Sequence, residues 1–121
     1  MRSILCVPCD KSEFLTKLDK YDADFFILDL EDGVSKANKS LARTNLAEFI
    51  SNTNNLEKFT IRINEIDSDE VSEDIKTINS FANRKISVMA PKVQTISDVA
   101  KLALSLPEVE NFDVQIESPL A

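Results

Sequence analysis

The chain has no histidine and no tryptophan, and only one glycine and two cysteines in 121 residues. Without histidine there is no His-based triad, no His metal ligand and no ordinary acid/base for neutral pH. The lone glycine, Gly33, excludes a P-loop or dinucleotide cradle, both of which need several glycines at fixed spacing. Turn positions that require positive φ therefore fall mainly to the nine asparagines, which tolerate that region best after glycine. A basic surplus is missing too: 21 acids stand against 14 bases, a net charge of -7, so nucleic acid and anionic membrane surfaces are not expected partners. No apolar run approaches the roughly 18 to 20 residues that span a bilayer. Met1-Arg2-Ser3-Ile4-Leu5 is too short and too soon charged for a signal peptide, which makes the cytoplasm the expected location. Chemistry, if any, falls to carboxylates, Arg, Lys, Cys or a metal.

What is present is a globular composition, 43% hydrophobic, in a length that suits one domain. Its most distinctive stretch is Ala23-Asp24-Phe25-Phe26-Ile27-Leu28-Asp29-Leu30-Glu31-Asp32, an apolar run that ends in acids. A buried strand delivering acids at its C-terminal end is an arrangement that builds active sites in α/β proteins.

The rest of the chain repeats that unit. Strands are expected at Ser3–Val7, Asp24–Leu30, Lys58–Ile63, Ile86–Ala90 and Phe112–Glu117, with Pro8 and Pro91 ending the first and fourth. Between them the spacing predicts four helices. The first is capped by Asp10 with Glu13 and buries Phe14, Leu15, Leu18 and Tyr21. The second covers Ala37–Ser51 on Ala42, Leu46, Phe49 and Ile50. The third covers Ser68–Ala82 on Val71, Ile75, Ile78 and Ala82, with Asn83 as its C-cap. The fourth starts at Thr95 with Asp98 in the capping-box position, buries Ile96, Val99, Ala100, Ala103 and Leu104, and stops at Pro107. Alternation with helix-length crossovers implies an α/β fold with parallel strands and right-handed connections. The pattern fits both an open doubly wound sheet and a closed barrel.

Strand residues alternate faces, so the polar set follows from the apolar one. Phe59, Ile61 and Ile63 oppose Thr60, Arg62 and Asn64, and Phe112, Val114 and Ile116 oppose Asp113, Gln115 and Glu117. Asp29 and Glu31 lie with Phe25 and Ile27, and Asp32 lies with Leu28 and Leu30. In a barrel, Asp29, Glu31, Arg62, Asn64 and Glu117 would converge at the C-terminal mouth, with Lys92 just beyond the fourth strand. An Arg among oxygens suits capture of a carboxylate, and carboxylates without His suit a hard cation such as Mg²⁺. The plainer reading is that Arg62 only neutralises Asp29 or Glu31. A separate alternative is Cys6-Val7-Pro8-Cys9, a C-x-x-C between strand and helix, as in thiol-disulfide oxidoreductases. Against it, Cys6 falls inside the strand and five alternating units do not match a thioredoxin-like fold.

Taken in order, these motifs resemble the HpcH/HpaI aldolase/citrate lyase family, particularly its citrate lyase beta-subunit-like branch. Arg2-Ser3-Ile4-Leu5 with Val7-Pro8, Asp29-Leu30-Glu31-Asp32 with Val34, Lys39 and Ala42-Arg43, Ile61-Arg62-Ile63-Asn64, Pro91-Lys92-Val93 and Ile116-Glu117-Ser118-Pro119 carry the resemblance. It implies a TIM barrel acting on coenzyme A thioesters of hydroxy acids, such as citryl- or malyl-CoA, by Mg²⁺-dependent carbon-carbon lyase or Claisen-type chemistry. By the same resemblance Asp29, Glu31 and Asp32 are the catalytic acids lining the pocket. Arg62, Asn64, Lys92 and Glu117 bind substrate, and Glu117 is also a Mg²⁺ ligand. A whole (β/α)8 barrel needs about 250 residues. The expectation is therefore that residues 1–121 are the N-terminal portion of one such lyase domain, truncated after the fifth strand and lacking the second metal carboxylate. Such a chain is expected to self-associate or to pair with a complementary barrel half, since its outer strands lack partners. Cys9 stands where the family usually has Gly, and Gly33 where it often has Ala.

Overall fold

The computed structural model describes residues 3–54, 56–81, 86–93, 95–106 and 111–116, with the backbone alone for 19 and 111–116. Five strands form one sheet: β1 (Ile4–Pro8), β2 (Phe25–Asp29), β3 (Phe59–Arg62), β4 (Ser87–Val93) and β5 (Asn111–Ile116). Four helices alternate with them: α1 (Ser12–Leu15), α2 (Lys39–Asn52), α3 (Val71–Ser80) and α4 (Ile96–Ser105). All pairings are parallel and the spatial order is β1-β2-β3-β4-β5. The order never reverses, so the sheet has no switch point of the doubly wound kind.

One face of the sheet carries the core. Val7, Phe26, Leu28, Phe59, Ile61, Val88 and Ala90 pack with Leu15, Ala42, Leu46, Ile50, Ile78 and Leu102 from the helices. The alternate residues Ile4, Cys6, Phe25, Thr60, Arg62, Ser87 and Met89 are exposed or half-buried on the other face. This asymmetry fixes the register. Each buried aliphatic side chain contributes roughly 1.5 to 3 kcal/mol, and a one-residue slip would turn Asp29 and Arg62 into that core. The pairing Leu28 with Ile61 and Asp29 with Arg62 keeps aliphatic against aliphatic and acid against base.

Three local expectations fail. Helix α1 is a single turn followed by a 3-10 turn at Leu18–Lys20, and its N-cap is Lys11 without a side-chain bond. Asp10 instead accepts from Asn38 Nδ2 at 3.1 Å. Leu15 and Leu18 are buried as expected, whereas Phe14 and Tyr21 are each 41% exposed and line a groove beside β1. Strand β4 runs through Pro91 to Val93. The ladder shifts between Ala90 and Val93, with Lys92 at φ 53°, and such a bulge tolerates the proline that lacks a donor. Helix α4 is capped as predicted, Thr95 Oγ1 accepting from the Asp98 amide at 3.2 Å, but it is rotated. Leu102 is buried while Ile96 and Leu104 are 89% and 83% exposed. A helix with apolar residues on several sides leaves the choice of face to its neighbours. Ala82, Asn83 and Pro107 lie outside the described residues. No helix among the described residues is long and apolar enough to cross a membrane.

Candidate functional site

The site forms where β2 and β3 end. Strand alternation puts Asp29 and Arg62 on the open face, and parallel pairing sets them side by side. Arg62 grips Asp29 with two bonds, Nε to Oδ1 at 2.8 Å and Nη2 to Oδ2 at 2.7 Å. The chain then turns back on the same carboxylate. The Glu31 amide donates to Oδ1 at 2.8 Å and the Gly33 amide to Oδ2 at 2.7 Å. A carboxylate has about four lone-pair sites, and those of Asp29 are all filled.

That explains its ionisation. Burial pushes the Asp29 pKa up, but the Arg62 hydrogen bonds and the two amides outweigh it, leaving the group below the usual carboxylate value. Arg62 is pushed above its ordinary value, chiefly by its bonds to Asp29. The glycine in this turn lets the loop approach Asp29 closely, and a larger residue here would have to displace its neighbours. A Cβ on Gly33 would lie 2.7 Å from Asp29 Oδ2 and 3.3 Å from the Pro8 side chain.

Glu31 has the opposite environment. It is 7% exposed, its Oε1 lies 3.7 Å from Arg62 Nε, and its Oε2 is buried without a hydrogen-bond partner among the described residues. Burial first, then the charge of Asp32, raises its pKa above the usual value despite Arg62 and Lys92. Asp32 is exposed and lines the same cleft of about 390 Å³ as Glu31, Lys39, Asn64, Glu65 and Ser68. The loop thus brings Asp32 beside Glu31 although strand alternation alone assigns it to the other face.

The remaining sequence-selected residues take different places. Asn64 is buried, and its amide nitrogen donates to Asp74 Oδ2 at 2.8 Å, away from Arg62. Lys92 is exposed and paired with Glu65 at 2.7 Å, which raises its pKa. Glu117 lies outside the described residues. Cys6 is exposed and weakly approached by Arg62 Nη2 at 3.8 Å, while Cys9 is wholly buried. Both thiols are free, and burial and then Asp29 raise both pKa values, the reverse of an activated redox pair.

Two supports have roles that the sequence does not show, although Lys39 and Arg43 belong to the motifs that carry the resemblance. Lys39 Nζ donates to the carbonyls of Leu30 and Glu31 at 2.8 and 2.7 Å, pinning the acidic loop from the start of α2. Arg43 and Asp74 form a second buried pair, Nε to Oδ1 at 2.8 Å, joining α2 to α3. The available signal for Asp74 is its place between Val71 and Ile78 in the buried stripe of α3, where an acid must find partners.

Oxygen donors without His or Cys suit a hard dication. The orphaned Glu31 oxygen beside Asp32 offers such a cation one or two carboxylates. Among the described residues no group of three or more His, Cys, Asp or Glu forms a cage. Mg²⁺ is commonly held by one or two carboxylates plus waters and substrate oxygens, so these residues fit it as a partial ligand set.

Residues 2–117 match the model of the HpcH/HpaI aldolase/citrate lyase family. A (3S)-malyl-CoA thioesterase from Cereibacter sphaeroides (strain ATCC 17025 / ATH 2.4.3) is 33% identical over 110 residues, 89% of this chain and 38% of that protein. The mitochondrial citramalyl-CoA lyase of Homo sapiens is 28% identical over 100 residues, 81% of this chain and 29% of that protein. The citrate lyase beta subunit from M. tuberculosis, solved with oxaloacetate and magnesium, matches at a TM-score of 0.76 and 29% identity, covering 96% of this chain and 47% of that one. The chain thus spans less than half the length of each of these relatives. It belongs to the HpcH/HpaI aldolase/citrate lyase family.

Proposed function

We propose that residues 1–121 of this family member are the N-terminal portion of a (β/α)8-type domain, five of its eight strands. The domain's activity is Mg²⁺-dependent carbon-carbon lysis of coenzyme A thioesters of hydroxy acids, of the citryl, malyl or citramalyl kind. One observation carries the reading: Arg62 is held by Asp29 along its Nε–Nη2 side, while Nη1 has no acceptor among the described residues, and Glu31, whose Oε1 lies 3.7 Å from Arg62 Nε, keeps Oε2 without a hydrogen-bond partner among them.

In this mechanism Asp29 is a positioning residue. Its filled acceptor sites leave it no capacity for a metal or a proton, and its task is to hold Arg62 rigid. Arg62 presents its outer N–H groups to a substrate carboxylate, where a planar fork gives two parallel bonds. Glu31 and Asp32, with Glu117 as the resemblance implies, would hold the cation directly or through its waters, and Mg²⁺ bound there would supply charge stabilisation for the substrate oxygen. Lys39 keeps the Glu31 backbone in place by its two carbonyl bonds. Preorganised charges of this kind act without reorganising during the reaction.

The test is an assay on malyl- and citramalyl-CoA with Mg²⁺, comparing the chain with Arg62→Ala. Lysis yields an oxo acid and acetyl-CoA, whereas thioester hydrolysis yields free CoA thiol and the hydroxy acid, so product analysis separates the two activities. Arg62-dependent oxo-acid formation supports the proposal; turnover absent or unchanged in Arg62→Ala refutes it for this chain.

A second reading is a non-catalytic half barrel that self-associates or pairs with a complementary half. It is favoured by Ile4 and Phe25, 63% and 37% exposed on the open face, and by Ile96 and Leu104 on α4. Size-exclusion chromatography distinguishes it: a folded monomer at all concentrations counts against the association reading.

A further inference from the structure

Asn64 belongs to the family-like motif at the end of β3, and its orientation is determined by groups on the far side of the sheet. Asp74, at 0% exposure, accepts Arg43 Nε on Oδ1 at 2.8 Å and both the backbone amide and the side-chain nitrogen of Asn64 on Oδ2, at 2.7 and 2.8 Å. Arg43 also donates to the Glu70 carbonyl at 3.1 Å and forms an ion pair with the Glu70 carboxylate. Burial lowers the Arg43 pKa, but its bonds to Asp74 and Glu70 outweigh this and the guanidinium is held above its ordinary value.

Both Asp74 oxygens act as acceptors here, Oδ1 from Arg43 Nε and Oδ2 from the Asn64 backbone amide. If the Asn64 amide were turned over, its oxygen would lie against Asp74 Oδ2, acceptor on acceptor in a buried place. The nitrogen end must therefore face Asp74, which frees the carbonyl oxygen, and Asn64 itself lines the cleft with Glu31 and Asp32.

We propose that the Arg43–Asp74 pair is a positioning device that locks Asn64 as a hydrogen-bond acceptor in the cleft, so that Asn64 recognises an O–H group and not a carboxylate. The ligand half of this proposal rests on the lyase reading above. The O–H is either the hydroxyl of a hydroxy acid or a water on the cation, and the test separates them.

The orientation is read on the parent protein by NMR. One Asn64 side-chain amide proton is expected to exchange at least about tenfold more slowly than those of exposed Asn54, as a bond to a charged acceptor implies. Equal exchange overturns the lock. Ligand recognition is read at the Asn64 side-chain carbonyl carbon, with Arg62 Nε as an independent reporter of occupancy. A carbonyl shift with malate in the absence of Mg²⁺ assigns the substrate hydroxyl. A shift with oxaloacetate only when Mg²⁺ is present assigns the metal water. If Arg62 responds and Asn64 does not, the recognition role is wrong. If neither responds, the lyase reading fails for this chain and the ligand half of the proposal fails with it, while the exchange result stands. In Asp74→Asn the neutral partner can donate or accept, and both the slow proton and the carbonyl response are expected to disappear. Persistence of both would contradict the role of Asp74.

Discussion

Asp29 and Glu31 stand two residues apart at the end of β2 and lie near the same arginine, yet their environments are opposite. Asp29 is saturated by two guanidinium and two backbone donors, and its pKa is lowered. Glu31 is buried with one oxygen unpartnered among the described residues, and its pKa is raised. The first is an interior fixture that happens to be charged. The second keeps an acceptor that no group among the described residues fills. In a cluster of acids the unsatisfied member is the one that points to a ligand, because an orphaned buried acceptor costs stability unless a function retains it.

The largest way to break this contrast is Arg62→Ala. It leaves the Asp29 carboxylate buried with its amides but without its cation, and about 3 kcal/mol of stability should be lost, the low end for breaking a buried pair. Urea denaturation measures it; a loss below about 1 kcal/mol would mean that the amides alone satisfy Asp29. Gly33→Ala acts on the same carboxylate by contact. The added methyl must displace Asp29 Oδ2, with an expected cost of about 2 kcal/mol, as for overpacking. It should also weaken oxo-acid binding although Gly33 is not among the residues lining the cleft, and an unchanged affinity would show that Arg62 does not depend on Asp29 geometry.

Glu31→Gln sharpens the contrast from the other side and has the smallest expected effect. A raised acid favours the folded state when protonated, so its stabilising contribution is present below about pH 4.3 and is lost as pH rises through its folded value. Removing the charge should therefore raise the melting temperature at pH 7 and leave it unchanged near pH 4. Asp29 runs the opposite way: its contribution is full above about pH 3.9 and is lost as pH falls through its lower folded value. The parent should thus destabilise at both ends of the acid range, while Glu31→Gln keeps only the acid-side loss. A Gln variant less stable than the parent at pH 7 would place Glu31 among the satisfied acids.

Much of this was legible before the structure. Alternation in Phe59, Ile61 and Ile63 against Thr60 and Arg62 identifies the two faces of β3, because an apolar layer tolerates only one register. The convergence of Asp29, Glu31 and Arg62 follows from parallel pairing. The saturation of Asp29 does not, since two of its four donors are backbone amides whose direction depends on a turn that composition does not specify. Alternation places Asn64 near the site, where it lines the cleft with Glu31 and Asp32, but the bond of its side-chain nitrogen to a buried acid on α3 is not readable from alternation. Lys92 is expected just beyond the fourth strand, and there it pairs with Glu65 of the cleft and acts on Glu31, but the bulge at Pro91 that sets its backbone is not readable from alternation. The buried face of α4 is not readable from its sequence, because Ile96, Val99, Leu102, Leu104 and Leu106 surround much of the helix and neighbouring elements decide which of them are covered.

The central claim is that Arg62, fixed by Asp29, and the unsatisfied Glu31 together hold an acid substrate and its cation. Calorimetric titration with oxaloacetate, with and without Mg²⁺, tests it most directly on the parent, Arg62→Lys and Glu31→Gln. The account predicts saturable, Mg²⁺-enhanced binding to the parent. It predicts binding at least about tenfold weaker in Arg62→Lys, which lacks the planar fork, and loss of the Mg²⁺ enhancement alone in Glu31→Gln. Equal affinity in the parent and Arg62→Lys, or full Mg²⁺ enhancement in Glu31→Gln, would contradict it.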